Sequence, residues 1–138
     1  MLSDLEIKRL LLTGGLKIEP FDSRRLGPVS YDILTELQDW DKNMARLRSV
    51  ETFTLPRNIL GICSLRSRAT HMEETFASFS NLIDPGYSGK LIFLVYSPAD
   101  YAFNYTDLFQ IMFMVVDGKV GVAYNERKSS TAMNRNGF

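Results

Sequence analysis

Residues 81–90 read NLIDPGYSGK, and this stretch decides the fold. Leu82 and Ile83 open an apolar segment that Asp84-Pro85-Gly86 breaks at once. Aspartate bonds its own backbone two residues on, proline fixes φ near −65°, and glycine takes a positive φ without steric cost. Gly89 breaks the chain again, and residues 91–96 then read LIFLVY. That run is rich in aliphatic and aromatic residues and too short for a buried helix, so it reads as a strand. The whole is a strand–turn–strand element with an acid, Asp84, and an aromatic, Tyr87, exposed at its turn.

The same grammar recurs on both sides. Short apolar runs at 29–34, 44–53, 59–65, 108–116 and 119–124 lie between proline, glycine and Asn/Asp breakers. Residues 44–53 alternate loosely, with Arg46, Arg48 and Glu51 expected to face away from Leu47 and Phe53. Asp117-Gly118 lies between two of the runs and reads as a hairpin turn. Short strands at this density predict a sandwich or barrel. One helix breaks the pattern, inside residues 1–15. Ser3-Asp4-Leu5-Glu6 has the form of a capping box, in which the Ser3 hydroxyl accepts from the Glu6 amide and the Glu6 carboxylate reaches back. Leu2 and Ile7 stand at the positions of a hydrophobic staple, Leu10 and Leu11 continue the apolar face, and Gly14-Gly15 ends the helix. The expectation is a mainly β chain with a short N-terminal helix, a single domain over 1–138, and a polar, flexible arm at 126–138.

Composition narrows the chemistry. Sixteen basic residues balance sixteen acidic ones, so no overall field draws the chain to nucleic acid or to an anionic membrane, and an anionic ligand must meet a local site. The apolar runs at 91–96 and 111–116 are far shorter than the ~20 residues that cross a bilayer. Cys63 is the single cysteine and forms no internal disulfide, which fits a reducing compartment; the expected location is the cytoplasm. One histidine and one cysteine cannot make a zinc site of three or four His/Cys ligands, and the H-x-E fragment at His71 lacks its P-C-x-x-C partner.

Several stretches, taken in order, carry a resemblance. Pro28-Val29-Ser30-Tyr31-Asp32-Ile33, then Thr54-Leu55-Pro56 leading to Gly61 and Arg66-Ser67, then IDPGYSG at 83–89, resemble the dCTP deaminase family of the trimeric dUTPase superfamily. The opening MLSDLEIKRLLLTGGLKIEP looks like that family's first helix and strand, and Tyr124-Asn125 with Arg127 like the start of its C-terminal arm. The resemblance implies a dUTPase-like jelly-roll or β-clip barrel that forms a homotrimer, with sites for dUTP or dCTP between neighbouring chains. It implies that Asp84 orients the attacking water and that Tyr87 lies against the deoxyribose. It further implies that Arg66, Ser67 and Gln110 hold phosphate oxygens, and that Asp32 helps to hold Mg²⁺ on them. Each has a plainer reading beside it. Asp84 starts a turn, Tyr87 is a rim aromatic, Asp32 and Gln110 are structural, Tyr31 is core, and Arg66 is a surface charge in a basic cluster with Arg57 and Arg68.

The sequence also departs from the family. Several tens of residues are missing between the strand of Asp32 and the one beginning near Met44. Leu94 stands where the deaminases carry the glutamate that activates water, and losing a general base typically costs about 10²–10⁴ in rate. His71, Arg68, Tyr105, Thr131 and Ala132 replace further family residues. The surviving set suits pyrophosphate hydrolysis, which needs a placed water, a metal and phosphate clamps. The expected function is therefore dUTP diphosphatase, giving dUMP and pyrophosphate. The alternatives are dCTP deaminase, or an inactive relative that binds nucleotide and regulates.

Overall fold

In the computed structural model, which describes residues 1–66, 76–96, 105–117 and 121–122, the chain begins as its sequence reads. Helix α1 (Asp4–Thr13) starts at Ser3, whose hydroxyl accepts from the Glu6 amide at 3.3 Å, and ends at Gly14 with φ +79°. Leu2 and Ile7 are both buried, as a staple requires. The return half of the capping box differs from expectation: the Glu6 carboxylate turns to Arg9, 2.9 Å away, a full charge that outcompetes one more backbone amide.

Eleven strands follow among the described residues, in three antiparallel sheets. β1 (Lys17–Glu19), β5 (Thr52–Thr54) and β9 (Ser88–Gly89) form the smallest, in the order β1-β5-β9. The second sheet runs β3-β4-β10-β7, from β3 (Thr35–Asp41), β4 (Met44–Ser49), β10 (Ile92–Tyr96) and β7 (Phe76–Phe79). The third runs β2-β11-β6-β8, from β2 (Tyr31–Ile33), β11 (Phe109–Val115), β6 (Ile59–Leu65) and β8 (Leu82–Ile83). In-and-out alternation places Leu47, Phe93 and Val95 on the inner face of the second sheet and Cys63, Phe109, Ile111 and Phe113 on that of the third. The two meet through stacked aromatics: Phe93 and Phe109 have centroids 4.0 Å apart, and Phe79 closes on Phe109 at 5.3 Å.

Three expectations are corrected. The predicted strand at 44–53 is two strands in different sheets, parted at Val50-Glu51. Glu51 does not face outward but is buried at this bend: its carboxylate accepts the Leu34 amide at 2.9 Å, and its carbonyl accepts the Ser49 hydroxyl at 2.7 Å. A strand was not expected at 35–41, where only Thr35 is buried and the rest is charged or polar around Leu37 and Trp40. Its partners explain it. β3 pairs with β4 through a two-residue turn, Lys42-Asn43, with Lys42 at φ +57°, and Glu36 faces Arg48 across the ladder at 3.3 Å. The turn residue Gly118, most of the expected strand at 119–124, and the arm at 126–138 lie outside the described residues, as do Ser67, Arg68 and His71.

Candidate functional site

The turn that opened the sequence reading is fixed by backbone bonds. The Tyr87 amide donates to the Asp84 carbonyl at 3.2 Å, and Gly86 takes φ +88°. The Gly86 amide donates to the Pro56 carbonyl at 3.2 Å, the Leu55 amide to the Tyr87 carbonyl at 2.8 Å, and the Thr54 and Ser88 hydroxyls meet at 3.0 Å. The TLP and DPGYS segments are thus the two sides of one seam, continued by the pairing of β5 with β9. Beside it opens a hollow of about 560 Å³, lined among others by Ser80, Leu82, Asp84, Tyr87, Lys90 and Ile92. The Tyr87 hydroxyl donates to the Lys90 carbonyl, and its ring lies over Gly89 so closely that a Cβ there would come within 2.7 Å of the hydroxyl. A side chain at position 89 would therefore displace the ring that forms one wall.

The second group of sequence candidates gathers on the third sheet. Register sets Gln110 of β11 between Asp32 of β2 and Ser64 of β6. The Gln110 amide donates to the Ser64 hydroxyl at 3.1 Å, and its carbonyl oxygen accepts from Ser30 at 3.5 Å. Arg66 leaves the end of β6 with its amide on the Leu108 carbonyl at 2.8 Å. Its guanidinium reaches Asp32 at 3.2 Å and Asp107 at 3.5 Å. Arg25, from the 3-10 turn Ser23–Arg25, joins them, with Nη1 3.3 Å from Asp107 and 3.2 Å from the Asp32 carbonyl. Sequence reasoning missed Arg25 and Asp107, because nothing in their local sequence ties residues 82 positions apart to one point.

Within one chain these two groups stay apart. Ile83 pairs with Gly61, which sets Asp84 beside Leu60, while Arg66 lies past the other end of β6, about 20 Å away at the rise of a strand. Arg57 precedes β6 and Arg66 follows it, so they do not form the expected basic cluster, and the Arg57 guanidinium reaches the Gly121 carbonyl instead. Tyr31 is core, as its plainer reading had it. Leu94 points to the outer face of β10 between Arg46 and Ser78, and with Met44, Ala77 and Tyr96 it lines a smaller hollow of about 290 Å³. Neither of its cross-strand neighbours is a carboxylate. Among the described residues no three His, Cys, Asp or Glu side chains come together as a metal-ligand group, and the Asp32 carboxylate rests on Arg66. The Cys63 thiol is pushed up to about 12 by burial, which leaves it no thiolate for nucleophilic chemistry near neutrality.

This arrangement of sheets has counterparts among solved structures. It superposes on 2′-deoxycytidine 5′-triphosphate deaminase from Agrobacterium tumefaciens with a TM-score of 0.62, over 83% of this chain and 47% of that one, at 17% identity. It also matches the dUTPase of Staphylococcus bacteriophage 80alpha, solved with dUPNHPP, with a TM-score of 0.50, over 83% of this chain and 95% of that one, at 14% identity. The chain has the dUTPase-like fold. The expected jelly-roll or β-clip architecture is thereby met, and the likeness is one of fold. The dUTPase-like chain spans about half the length of the deaminase and nearly all of the phage enzyme. No family model matches it, and no curated protein does. No helix among the described residues is long and apolar enough to cross a membrane.

Proposed function

We propose that the protein acts on pyrimidine deoxynucleoside triphosphates and that its reaction is hydrolysis of dUTP to dUMP and pyrophosphate. Leu94 carries the choice. Deamination at C4 of cytosine needs a base to activate water, and this position on β10 offers an aliphatic side chain between an arginine and a serine. Hydrolysis makes no such demand of position 94. In this reading Asp84, on the rim of the larger hollow, orients the water. The water's oxygen bonds to the α-phosphorus, the α–β anhydride bond breaks with its electrons on the departing pyrophosphate, and the water's proton passes to the carboxylate and then to solvent. Tyr87, pinned over Gly89, is the flat wall against the deoxyribose, where a 2′-hydroxyl would meet the ring. Arg66 and Gln110, with Ser67, hold phosphate oxygens. Mg²⁺ enters with the nucleotide, as the counter-ion of its phosphates, since Asp32 is a single carboxylate already engaged by Arg66.

A triphosphate cannot bridge about 20 Å, so Asp84 and Arg66 meet on one nucleotide only if they come from different copies. The proposed assembly is a homotrimer with its sites between neighbours, in the cytoplasm. Pyrophosphate release from dUTP, dCTP and UTP, with Mg²⁺ titrated, tests the activity. We expect turnover of dUTP alone, and no release above that of an Asp84→Asn control refutes it. Mixing inactive Asp84→Asn and Arg66→Ala proteins under conditions of subunit exchange tests the shared site. An equal mixture should recover about a quarter of wild-type activity, the fraction of interfaces that draw both intact residues from the right partners. A second reading, nucleotide binding without turnover, draws on the ion pairs that engage Arg66 in this structure. Calorimetric binding of dUTP with no product formed would establish it.

A further inference from the structure

We propose that Arg25 and Arg66 form one two-guanidinium clamp for a polyphosphate, and that the chain's own Asp107 fills the clamp until a more highly charged anion displaces it. The inference rests on the reading that Arg66 meets phosphate, and it adds a second cation and a tethered competitor. Asp107 Oδ1 lies 3.3 Å from Arg25 Nη1 and 3.5 Å from Arg66 Nη1. The two arginine side chains are only 19% and 23% exposed. Two like charges this far removed from water repel strongly unless an anion lies between them, so the point where they converge is electrostatically an anion position. A guanidinium fork suits phosphate oxygens as well as it suits a carboxylate.

The surroundings let the carboxylate leave without dismantling the site. Asp107 ends the 3-10 turn Tyr105–Asp107, with only Leu108 between it and β11. Arg66 holds that turn by its backbone, with its guanidinium on the Asp107 carbonyl at 3.4 Å and its amide on the Leu108 carbonyl at 2.8 Å. Asp32 stays against Arg66 and keeps it in place. Two arginines and two aspartates sum to zero; with the Asp107 carboxylate swung away, one positive charge remains for the guest. A tethered carboxylate competes at millimolar effective concentration or above. Orthophosphate or a nucleoside monophosphate, with one phosphate to offer, loses that competition, and a triphosphate wins it. The clamp therefore selects for chain length of the phosphate and releases a monophosphate product.

Calorimetry of the full chain with inorganic tripolyphosphate and with orthophosphate tests this. Asp107→Asn should bind tripolyphosphate roughly tenfold more tightly than wild type, the worth of one charge-assisted hydrogen bond, and should gain measurable orthophosphate binding. Arg25→Gln should bind tripolyphosphate about tenfold more weakly, and Arg25→Lys, which keeps the charge but loses the fork, should weaken it as well. Thermal melts confirm that each variant folds, and the two Arg25 variants carry the test if Asp107→Asn does not. Weaker binding by Arg66→Gln with the Arg25 and Asp107 variants at wild-type affinity overturns the clamp and leaves the phosphate role of Arg66 standing. Unchanged binding by Arg66→Gln, or no binding by wild type and Asp107→Asn alike, overturns both.

Discussion

The hollow at Asp84 and the cluster at Arg66 are built on opposite principles. The first is held by main-chain bonds. Pro56 and Leu55 grip Gly86 and Tyr87, and the ring of Tyr87 is seated by the missing side chain at Gly89. The second is held by side-chain charges drawn from four places in the sequence, Arg25, Asp32, Arg66 and Asp107, each about a fifth to a quarter exposed. A surface fixed by backbone keeps its shape whatever the solvent, so it suits recognition of a rigid nucleoside. A cluster fixed by charge can exchange partners, so it suits phosphates that arrive and leave. Rigidity for the ring and exchange for the charge is the division of labour that the proposed hydrolysis would ask for.

Substitutions break the comparison from either side. The largest effect is expected at Gly89→Ala. The new methyl lies within 2.7 Å of the Tyr87 hydroxyl, so the ring must swing off the Lys90 carbonyl. The cost should be about 1–3 kcal/mol, as for overpacking elsewhere. Equilibrium urea unfolding should give the same loss at low and high salt. Arg66→Gln should cost less, about 1–2 kcal/mol, because Arg25 still faces Asp107 while Asp32 loses its partner. Its effect should shrink between about 0.05 and about 1 M salt, since all four groups are partly solvated and the screening length falls from about 14 Å to about 3 Å. Equal salt dependence for the two variants would mean that the hollow too is held by charge.

Glu51 sharpens the comparison because it lies between the two regions in the chain and feels the charge of Arg25. It lies buried at the bend where β4 leaves the sheet of Leu94 for β5, the strand beside the turn. Burial raises its carboxyl pKa, opposed by the Leu34 amide, by the positive charge of Arg25 and by the Tyr31 hydroxyl. The folded state thus holds the proton more tightly than the unfolded chain. Between the ordinary carboxylate value and the raised folded one the native state binds more protons, so stability falls as pH rises through that window and is then level. Glu51→Gln should remove the fall and gain about 1 kcal/mol on its alkaline side. Urea midpoints measured from about pH 4, near the ordinary glutamate value, to about pH 8 check this.

The fold was legible in the sequence wherever burial alternates. The inner faces of β6, β10 and β11 are apolar at every second residue, as is that of β4 up to Leu47, and the helix is bracketed by Ser3 and Gly14. What local pattern cannot supply is partnership. β3 is exposed beyond Thr35, with no buried alternation to announce it, and is a strand through its pairing with β4, and Glu51 looks like an outward residue until the bend turns it in. The same limit divides the site. Asp84 and Tyr87 share one turn and could be read together, whereas the Arg25–Asp107 contact is a product of topology. The roles assigned to Asp84, Tyr87, Arg66, Ser67, Gln110 and Asp32 rest on resemblance, because no local pattern distinguishes a phosphate-binding side chain from a structural one.

The smallest effect belongs to β3, and it bears on how an exposed, acid-rich edge strand holds its place. Glu36 and Arg48 face each other at 3.3 Å, with side chains about half exposed, in the same ladder where Asp39 pairs with Arg46. Exposed pairs of this kind are worth about 0.2–1 kcal/mol each. Glu36→Gln should therefore cost no more than about 0.5 kcal/mol in urea unfolding and leave nucleotide binding untouched. A loss several times larger would mean that the pair fixes the register of β4, and with it Leu94 two strands away, rather than decorating an edge. Charge reversal separates the two cases. Glu36→Arg with Arg48→Glu should restore stability if only the attraction matters. It should fail if the buried Arg48 Nε, which has no hydrogen-bond partner among the described residues, marks a side chain whose stem is packed as well as paired.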